Sequence, residues 1–170
     1  MSEASLKEKI YQIDREFDLV LLTEYFDESL ILLKQLMCWE YDDIIYLSKG
    51  VRKENHRNKM SDDMMRKIRR WNAGDVLLHD QFNRTFWDKV AKYGAGFESD
   101  LAEFRRLKQI ATEKCVSKDK VNTRDRRVYK LVSSNRTDEY CNDLLRYVAD
   151  YTSRLKKKMK QKVALPQTTP

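Results

Sequence analysis

The sequence predicts a helix-rich α/β chain in which one short βαβ unit precedes about four helices. The first 165 of the 170 residues contain no proline, and the whole chain has four glycines. Turn-rich β-sandwiches and barrels depend on these two residue types, so the composition argues against both classes. The 41% apolar and 11% aromatic content argues against a disordered chain. Apolar residues recur at helical spacing along most of the sequence, which favours helices.

The βαβ unit is predicted over residues 17–47. Its first strand contains the continuous apolar run 19–22, which is typical of a strand buried on both faces. Residues 28–38 carry too many apolar side chains for one narrow stripe, which indicates a well-buried helix. The apolar run 44–47 predicts the second strand, reached through a right-handed crossover. Because two strands do not form a stable sheet alone, we expect the chain to be part of a larger fold.

Residues 48–60 form a predicted basic loop, since this segment is polar, positively charged and without periodicity. A helical part is predicted over 61–163, and it begins at the N-cap Ser61. The last helix, 138–162, carries apolar residues at steps of three and four, which predicts a seam facing the core. These residues are Cys141, Leu144, Val148, Tyr151, Leu155 and Met159. Residues 164–170 are predicted to form a disordered tail.

Charge and cysteine content narrow the classes of partner. The net charge is +7, so we expect anionic partners such as nucleic acid, anionic lipid or a phosphate- or sulfate-bearing small molecule. The N-terminus has no apolar signal region, and no apolar run is long enough to span a membrane. The three cysteines lack C-x-x-C spacing, so no metal site is predicted.

Two N-x-T sequons begin at Asn83 and Asn135. In a secretory protein both asparagines would be candidate glycosylation sites. Such short patterns also arise by chance, and the sequence by itself leaves both interpretations open.

Two long blocks carry a resemblance to a known family. They read FDLVLLTEYFDESLILLKQLMCW at 17–39 and RRWNAGDVLLHDQFNRTFW at 69–87. In this order and spacing they resemble the galactose-3-O-sulfotransferase family, and a weaker likeness continues through Cys115 and Cys141. The resemblance covers roughly residues 10–160.

The resemblance implies a Golgi enzyme with its catalytic domain on the luminal side. Such an enzyme moves sulfate from 3′-phosphoadenosine-5′-phosphosulfate to the 3-hydroxyl of galactose in a glycolipid, such as galactosylceramide, or a glycan. It implies neither a metal nor a nucleic-acid partner, and it leaves the oligomeric state open. The implied fold is a P-loop-type α/β domain, of which residues 1–163 would form the C-terminal part. We expect the phosphate loop and a membrane anchor to lie outside this chain, because its glycines fit no G-x-x-x-x-G-K-[ST] pattern.

Candidate donor-binding residues are Lys49, Arg52 and Lys53, which follow the second predicted strand. Ligands of open α/β sheets bind at that edge, and cations there would contact the donor's phosphates. Glu24 ends the first predicted strand and is a weak catalytic candidate, since its carboxylate would hold an acceptor hydroxyl. The alternative for the three cations is a solvated basic loop. The alternative for Glu24 is an acid that stabilises the N-terminus of the following helix.

Other residues receive structural interpretations. His56 and His79 have neither metal spacing nor an identified partner, so we interpret them as surface or packing residues and expect the catalytic base outside the chain. The helical spacing of a group of aromatic residues favours core packing over a sugar-binding platform. These are Trp71, Phe82, Phe86 and Trp87. The resemblance also implies a Cys115–Cys141 disulfide in an oxidising lumen, whereas a cytosolic chain would hold two buried thiols.

Two further functions stay open. The lysine-rich stretch 156–160 could make the chain a non-enzymatic helical module for an anionic surface, although a solvated helix end explains it equally simply. An inactive sulfotransferase relic is the third possibility.

Overall fold

The computed structural model describes residues 3–49, 60–117, 121–122, 129–135 and 137–164. Over these residues the chain is mostly helical. The helices are α1 (Glu3–Glu16), α2 (Phe26–Met37), α3 (Tyr41–Ile44), α4 (Asp62–Trp71), α5 (Ala73–Tyr93), α6 (Phe97–Cys115), α7 (Glu139–Leu145) and α8 (Val148–Ala164), and a 3-10 turn covers Thr23–Tyr25. The strands β1 (Val121–Asn122) and β2 (Tyr129–Lys130) pair antiparallel. No helix among the described residues is long and apolar enough to cross a bilayer.

The predicted βαβ unit is not formed in the described residues. Its helix is present as α2, but segments 17–22 and 45–49 belong to no sheet, so both strand predictions are wrong. Leu22 has an extended backbone, yet its N–H donates to Ser29 Oγ at 3.0 Å, and the Ser29 hydroxyl donates back to the Leu22 carbonyl at 3.1 Å. A buried side chain therefore satisfies backbone groups that a neighbouring strand would otherwise bind.

The chain folds as two compact units. The first contains α1 to α5 and α6 up to Ile110, and α5 packs against both α1 and α2. Its core includes Ile31, Phe86 and Phe104, each at most 1% exposed. Full burial of such side chains stabilises a fold by about 1.5–3 kcal/mol each.

Polar contacts join α2 to α6 within the first unit. The Asp27 carboxylate accepts hydrogen bonds from Lys108 Nζ at 2.6 and 2.7 Å, and Glu28 accepts one from Arg105 at 2.8 Å. Both acids lie in the first turn of α2, where the helix dipole also favours negative charge.

One carboxylate joins α3 and α5 to α6. The hydroxyls of Tyr41 and Tyr93 both donate to Asp100. Burial, together with the Asp100 carboxylate, raises the pKa of Tyr93 to about 12. Tyr93 is therefore a neutral donor throughout the neutral pH range.

The second unit contains residues 46–49 and the described residues from Ala111 onward. Its core is Leu47 with the Cys115–Cys141 disulfide, against which several partly buried apolar residues pack. These are Val116, Leu131, Leu144 and Leu145.

The predicted single helix 138–162 is two helices, because Arg146 leaves the helical conformation after α7. Cys141 is fully buried as predicted, but Leu155 is 57% and Met159 67% exposed. The predicted core seam is therefore wrong beyond α7. Of the predicted tail, Ala164 ends α8 and the rest lies outside the described residues, as do residues 50–59 of the basic loop.

Replacing Ser29 tests the hydrogen-bonded pair with Leu22. We expect Ser29→Ala to lower the free energy of unfolding by about 1–3 kcal/mol, because the buried Leu22 N–H loses its partner. Urea unfolding followed by circular dichroism measures the change.

A matched control is Ser153→Ala in α8, where an exposed hydroxyl donates to the Ala149 carbonyl at 2.9 Å. This change should stay within about 0.5 kcal/mol. Equal effects of the two substitutions would contradict a bracing role for Ser29.

Candidate functional site

The turn Thr23–Tyr25 presents the first candidate residue. Its geometry is fixed at Leu22, whose carbonyl accepts hydrogen bonds from the Ser29 hydroxyl and, at 3.1 Å, from the Tyr25 N–H. Glu24 lies exposed on this turn, directly before α2. A buried contact thus determines where an exposed carboxylate stands.

Glu24 faces His79 of α5. The distance from Glu24 Oε1 to His79 Nε2 is 3.6 Å, and the other imidazole nitrogen lies 3.8 Å from an Asp80 carboxylate oxygen. These distances are too long for hydrogen bonds but suit charge attraction once the imidazole is protonated. His79 is about half exposed, and the structure places it beside a carboxylate that the sequence did not identify as its neighbour. The two residues are distant in sequence, so no local pattern could have paired them.

The Glu24 carboxylate is stabilised in its charged form. A hydrogen bond from its own backbone N–H lowers the pKa of Glu24 most, while slight desolvation opposes the shift. The Thr23 hydroxyl, which donates to Glu24 Oε2 at 3.3 Å, and His79 lower it further. Glu24 therefore serves better as a permanent anion than as a proton acceptor.

Aromatic rings extend the site next to Glu24. The Tyr25 ring stacks on Phe86 with centroids 5.9 Å apart and meets Trp87 edge-on at 4.9 Å. Phe86 is buried as predicted, whereas Trp87 is 39% and Trp71 90% exposed. The core-packing interpretation thus holds for Phe86 and Phe82 and is wrong for both tryptophans. Exposed ring surface beside polar groups is a common composition of ligand sites.

Lys49 belongs to the second unit and already has a partner there. Its Nζ donates to the Arg146 carbonyl at 2.7 Å and lies 5.5 Å from the centroid of the Tyr147 ring. Burial lowers the pKa of Lys49. Because Arg146 ends α7, the lysine places positive charge at a helix C-terminus. The other two donor-binding candidates, Arg52 and Lys53, lie outside the described residues.

The two sequon asparagines have different surroundings. Asn83 lies within α5 and is half-buried, and its Oδ1 is enclosed without a hydrogen-bond partner in the described part of the chain. Asn135 is exposed in the segment before α7, and its Oδ1 accepts from the Thr137 N–H at 3.0 Å and from the Thr137 hydroxyl at 2.7 Å. Of the two, Asn135 is the more exposed residue.

Cys115 at the end of α6 and Cys141 in α7 form a disulfide, with an S–S distance of 2.03 Å, and both are fully buried. Closing a loop of 26 residues contributes about 3 kcal/mol in the chain-entropy description. Cys38 is an exposed free thiol. Among the described residues, no cluster of His, Cys, Asp and Glu could hold a metal ion.

Comparisons with known proteins give one consistent family. The family model described as galactose-3-O-sulfotransferase matches residues 1–164. The chain is 37% identical over 112 residues to galactosylceramide sulfotransferase of Mus musculus, covering 65% of this chain and 26% of that protein. It is 39% identical over 114 residues to galactose-3-O-sulfotransferase 3 of Mus musculus, with 66% and 26% covered.

A longer match, 27% identical over 173 residues, is galactose-3-O-sulfotransferase 2 of Sus scrofa, with 90% of this chain and 44% of that protein covered. The chain thus spans about a quarter of the two mouse proteins and under half of the pig protein. No solved structure matches it.

The contrast between the two sequons gives a test. When the chain is expressed through a eukaryotic secretory pathway, we expect a glycan on Asn135 and none on Asn83, because Asn135 is exposed, whereas Asn83 is half-buried with its Oδ1 enclosed. Asn135→Gln should remove the mass of one glycan in gel mobility and mass spectrometry. Asn83→Gln is the matched control and should leave the mass shift intact; the opposite pattern would contradict the burial of Asn83.

Proposed function

Because the chain belongs to the galactose-3-O-sulfotransferase family, we propose that it takes part in sulfate transfer to the 3-hydroxyl of galactose in a glycolipid or glycan. The observation that carries this proposal is the family match over residues 1–164. One relative is named for galactosylceramide and others for galactose, which supports a galactose-bearing acceptor. The proposed donor is 3′-phosphoadenosine-5′-phosphosulfate and the proposed setting is the Golgi lumen.

The reaction defines what a site must supply. The galactose O3 attacks the donor sulfur, the bond between sulfur and the bridging phosphate oxygen breaks, and adenosine 3′,5′-bisphosphate leaves. The O3 proton passes to a base, and cations stabilise charge on the phosphates and the transferring sulfate. As in phosphoryl transfer, positioning and charge stabilisation account for most of the catalysis.

We assign the acceptor side to Glu24 and His79. The imidazole of His79 receives the O3 proton, and the Glu24 carboxylate, 3.6 Å away and held in its charged form, stabilises the resulting imidazolium. Both side chains are about half exposed, so an acceptor can reach them. The exposed Trp87, in contact with Tyr25, offers an apolar surface for a sugar ring.

We assign the donor side to the basic segment that begins at Lys49. The Lys49 ammonium donates to the Arg146 carbonyl. This hydrogen bond holds Lys49 in place at the start of the basic segment. Arg52 and Lys53, which follow in sequence, are the proposed partners of the donor's phosphates. Guanidinium and ammonium groups are the usual protein partners of phosphate oxygens.

A transfer assay tests the proposed function. The purified chain is incubated with donor carrying radiolabelled sulfate and with a β-galactoside, and a 3-deoxy-β-galactoside is the matched acceptor. We expect label in the galactoside and none in the 3-deoxy compound. Label in neither acceptor, together with no calorimetric binding of adenosine 3′,5′-bisphosphate, would contradict the proposal.

Variants at the Glu24–His79 pair test the assigned roles. We expect His79→Gln to lower kcat about 100-fold or more while KM for the acceptor changes little, since a base acts in the transition state. Glu24→Gln should lower kcat about two- to fivefold, because an exposed charge pair contributes at most about 1 kcal/mol.

The matched control is Asp88→Asn. It neutralises an exposed carboxylate on α5 that has no assigned role, and it should leave kcat unchanged. Thermal unfolding should be the same for all variants, because the replaced side chains are exposed. Full kcat in His79→Gln would remove His79 from the mechanism without affecting the family-based proposal.

A further inference from the structure

Helix α4 contacts α5 in the first unit but buries no side chain. It is a ten-residue helix, Asp62–Trp71, in which every residue is exposed. Helices of this length are marginal in water unless a tertiary partner covers one face. Its N-terminus is well formed, since the Met64 N–H donates to the Ser61 Oγ at 3.3 Å. The helix therefore has a defined start, but none of its apolar side chains is buried among the described residues.

The two faces of α4 differ sharply. Met64, Ile68 and Trp71 recur at the spacing of one helix face, and Met65 widens that face. The exposed fractions are 50% for Met64, 40% for Ile68 and 90% for Trp71. Exposure of the large Trp71 ring to water is unfavourable. Tryptophan is favoured at boundaries where part of the ring contacts an apolar phase and its N–H contacts water.

The opposite side of α4 is basic. The helix carries four cations and two carboxylates, and the carboxylate of Asp63 pairs with Lys67 at 2.9 Å and Arg66 at 3.4 Å. Arg69 and Arg70 in the last turn have no ion pair among the described residues. Both arginines are exposed and lie in the same helical turn as Trp71.

From these observations we propose that α4 is an interfacial helix that docks on an anionic lipid bilayer. Its apolar face would enter the headgroup boundary, and Arg69 and Arg70 would contact anionic headgroups. Helices that lie in the plane of a membrane have this composition, with tryptophan and aliphatic residues on one face and lysine or arginine on the other. The charge of the flanking arginines selects a lipid surface over an apolar protein partner. The inference does not depend on the proposed sulfate transfer, although docking would bring the chain to lipid-anchored acceptors.

Vesicle binding tests the proposal directly. The purified 170-residue chain is mixed with vesicles of phosphatidylcholine alone or with added phosphatidylserine, and bound protein is separated by flotation. We expect binding to the phosphatidylserine vesicles that weakens as salt screens the charges. No binding at low salt, or equal binding to both vesicles, would overturn the proposal.

Charge-matched variants locate the binding surface. The double variant Arg69→Gln, Arg70→Gln should lower the partition coefficient about 30-fold, as expected for the loss of two cations near an anionic surface. Lys157→Gln with Lys160→Gln removes the same charge from exposed positions of α8 and should change it less than about threefold. The reverse order of effects would assign binding to α8 and overturn the proposal for α4.

Trp71 reports insertion of the apolar face. Its fluorescence emission should shift to the blue on binding, and Trp71→Phe should lose most of that shift while it still binds. Ile68→Ser with Trp71→Ser should lower binding about tenfold or more, because apolar area is lost. Since α4 buries no residue, these variants should keep the thermal unfolding temperature of the native chain. Unchanged binding in the serine variant would overturn the proposal.

Discussion

The hydroxyl of Ser29 holds both backbone groups of Leu22, and the candidate site depends on this pair of hydrogen bonds. Ser29 is fully buried at the fourth residue of α2, so the extended residue Leu22 is bonded to a helix instead of a sheet. The chain then turns through Thr23–Tyr25 with its direction fixed. One polar contact in the core thus sets the position of an exposed acid and an aromatic ring.

Helix α5 supplies the other half of the site. His79 of α5 faces Glu24 of the turn. Further along α5, the Phe86 and Trp87 rings contact the Tyr25 ring. The full burial of Phe86 fixes the rotation of α5. The Glu24–His79 pair and an apolar surface therefore come together because the turn and α5 contribute side chains to both.

The sequence predicted part of the helical structure. Ser61 caps α4 as expected. The helix expected over 138–162 is instead divided into α7 and α8. The strand predictions failed because a short apolar run such as 19–22 does not by itself specify a sheet partner. Only Leu22 of this run is buried, and the Ser29 side chain provides its hydrogen bonds. The pairing of Glu24 with His79 and the exposure of Trp71 depend on tertiary packing, which one sequence does not encode in any local pattern.

We propose that the acceptor sugar binds between the turn Thr23–Tyr25 and α5. Nuclear magnetic resonance on the isotopically labelled chain, titrated with methyl β-galactoside, tests this most directly. We expect the amide and side-chain signals of four residues to shift with a common saturation curve: Glu24, Tyr25, His79 and Trp87. Shifts that leave these four residues unchanged and concentrate elsewhere, for example in α8, would contradict it.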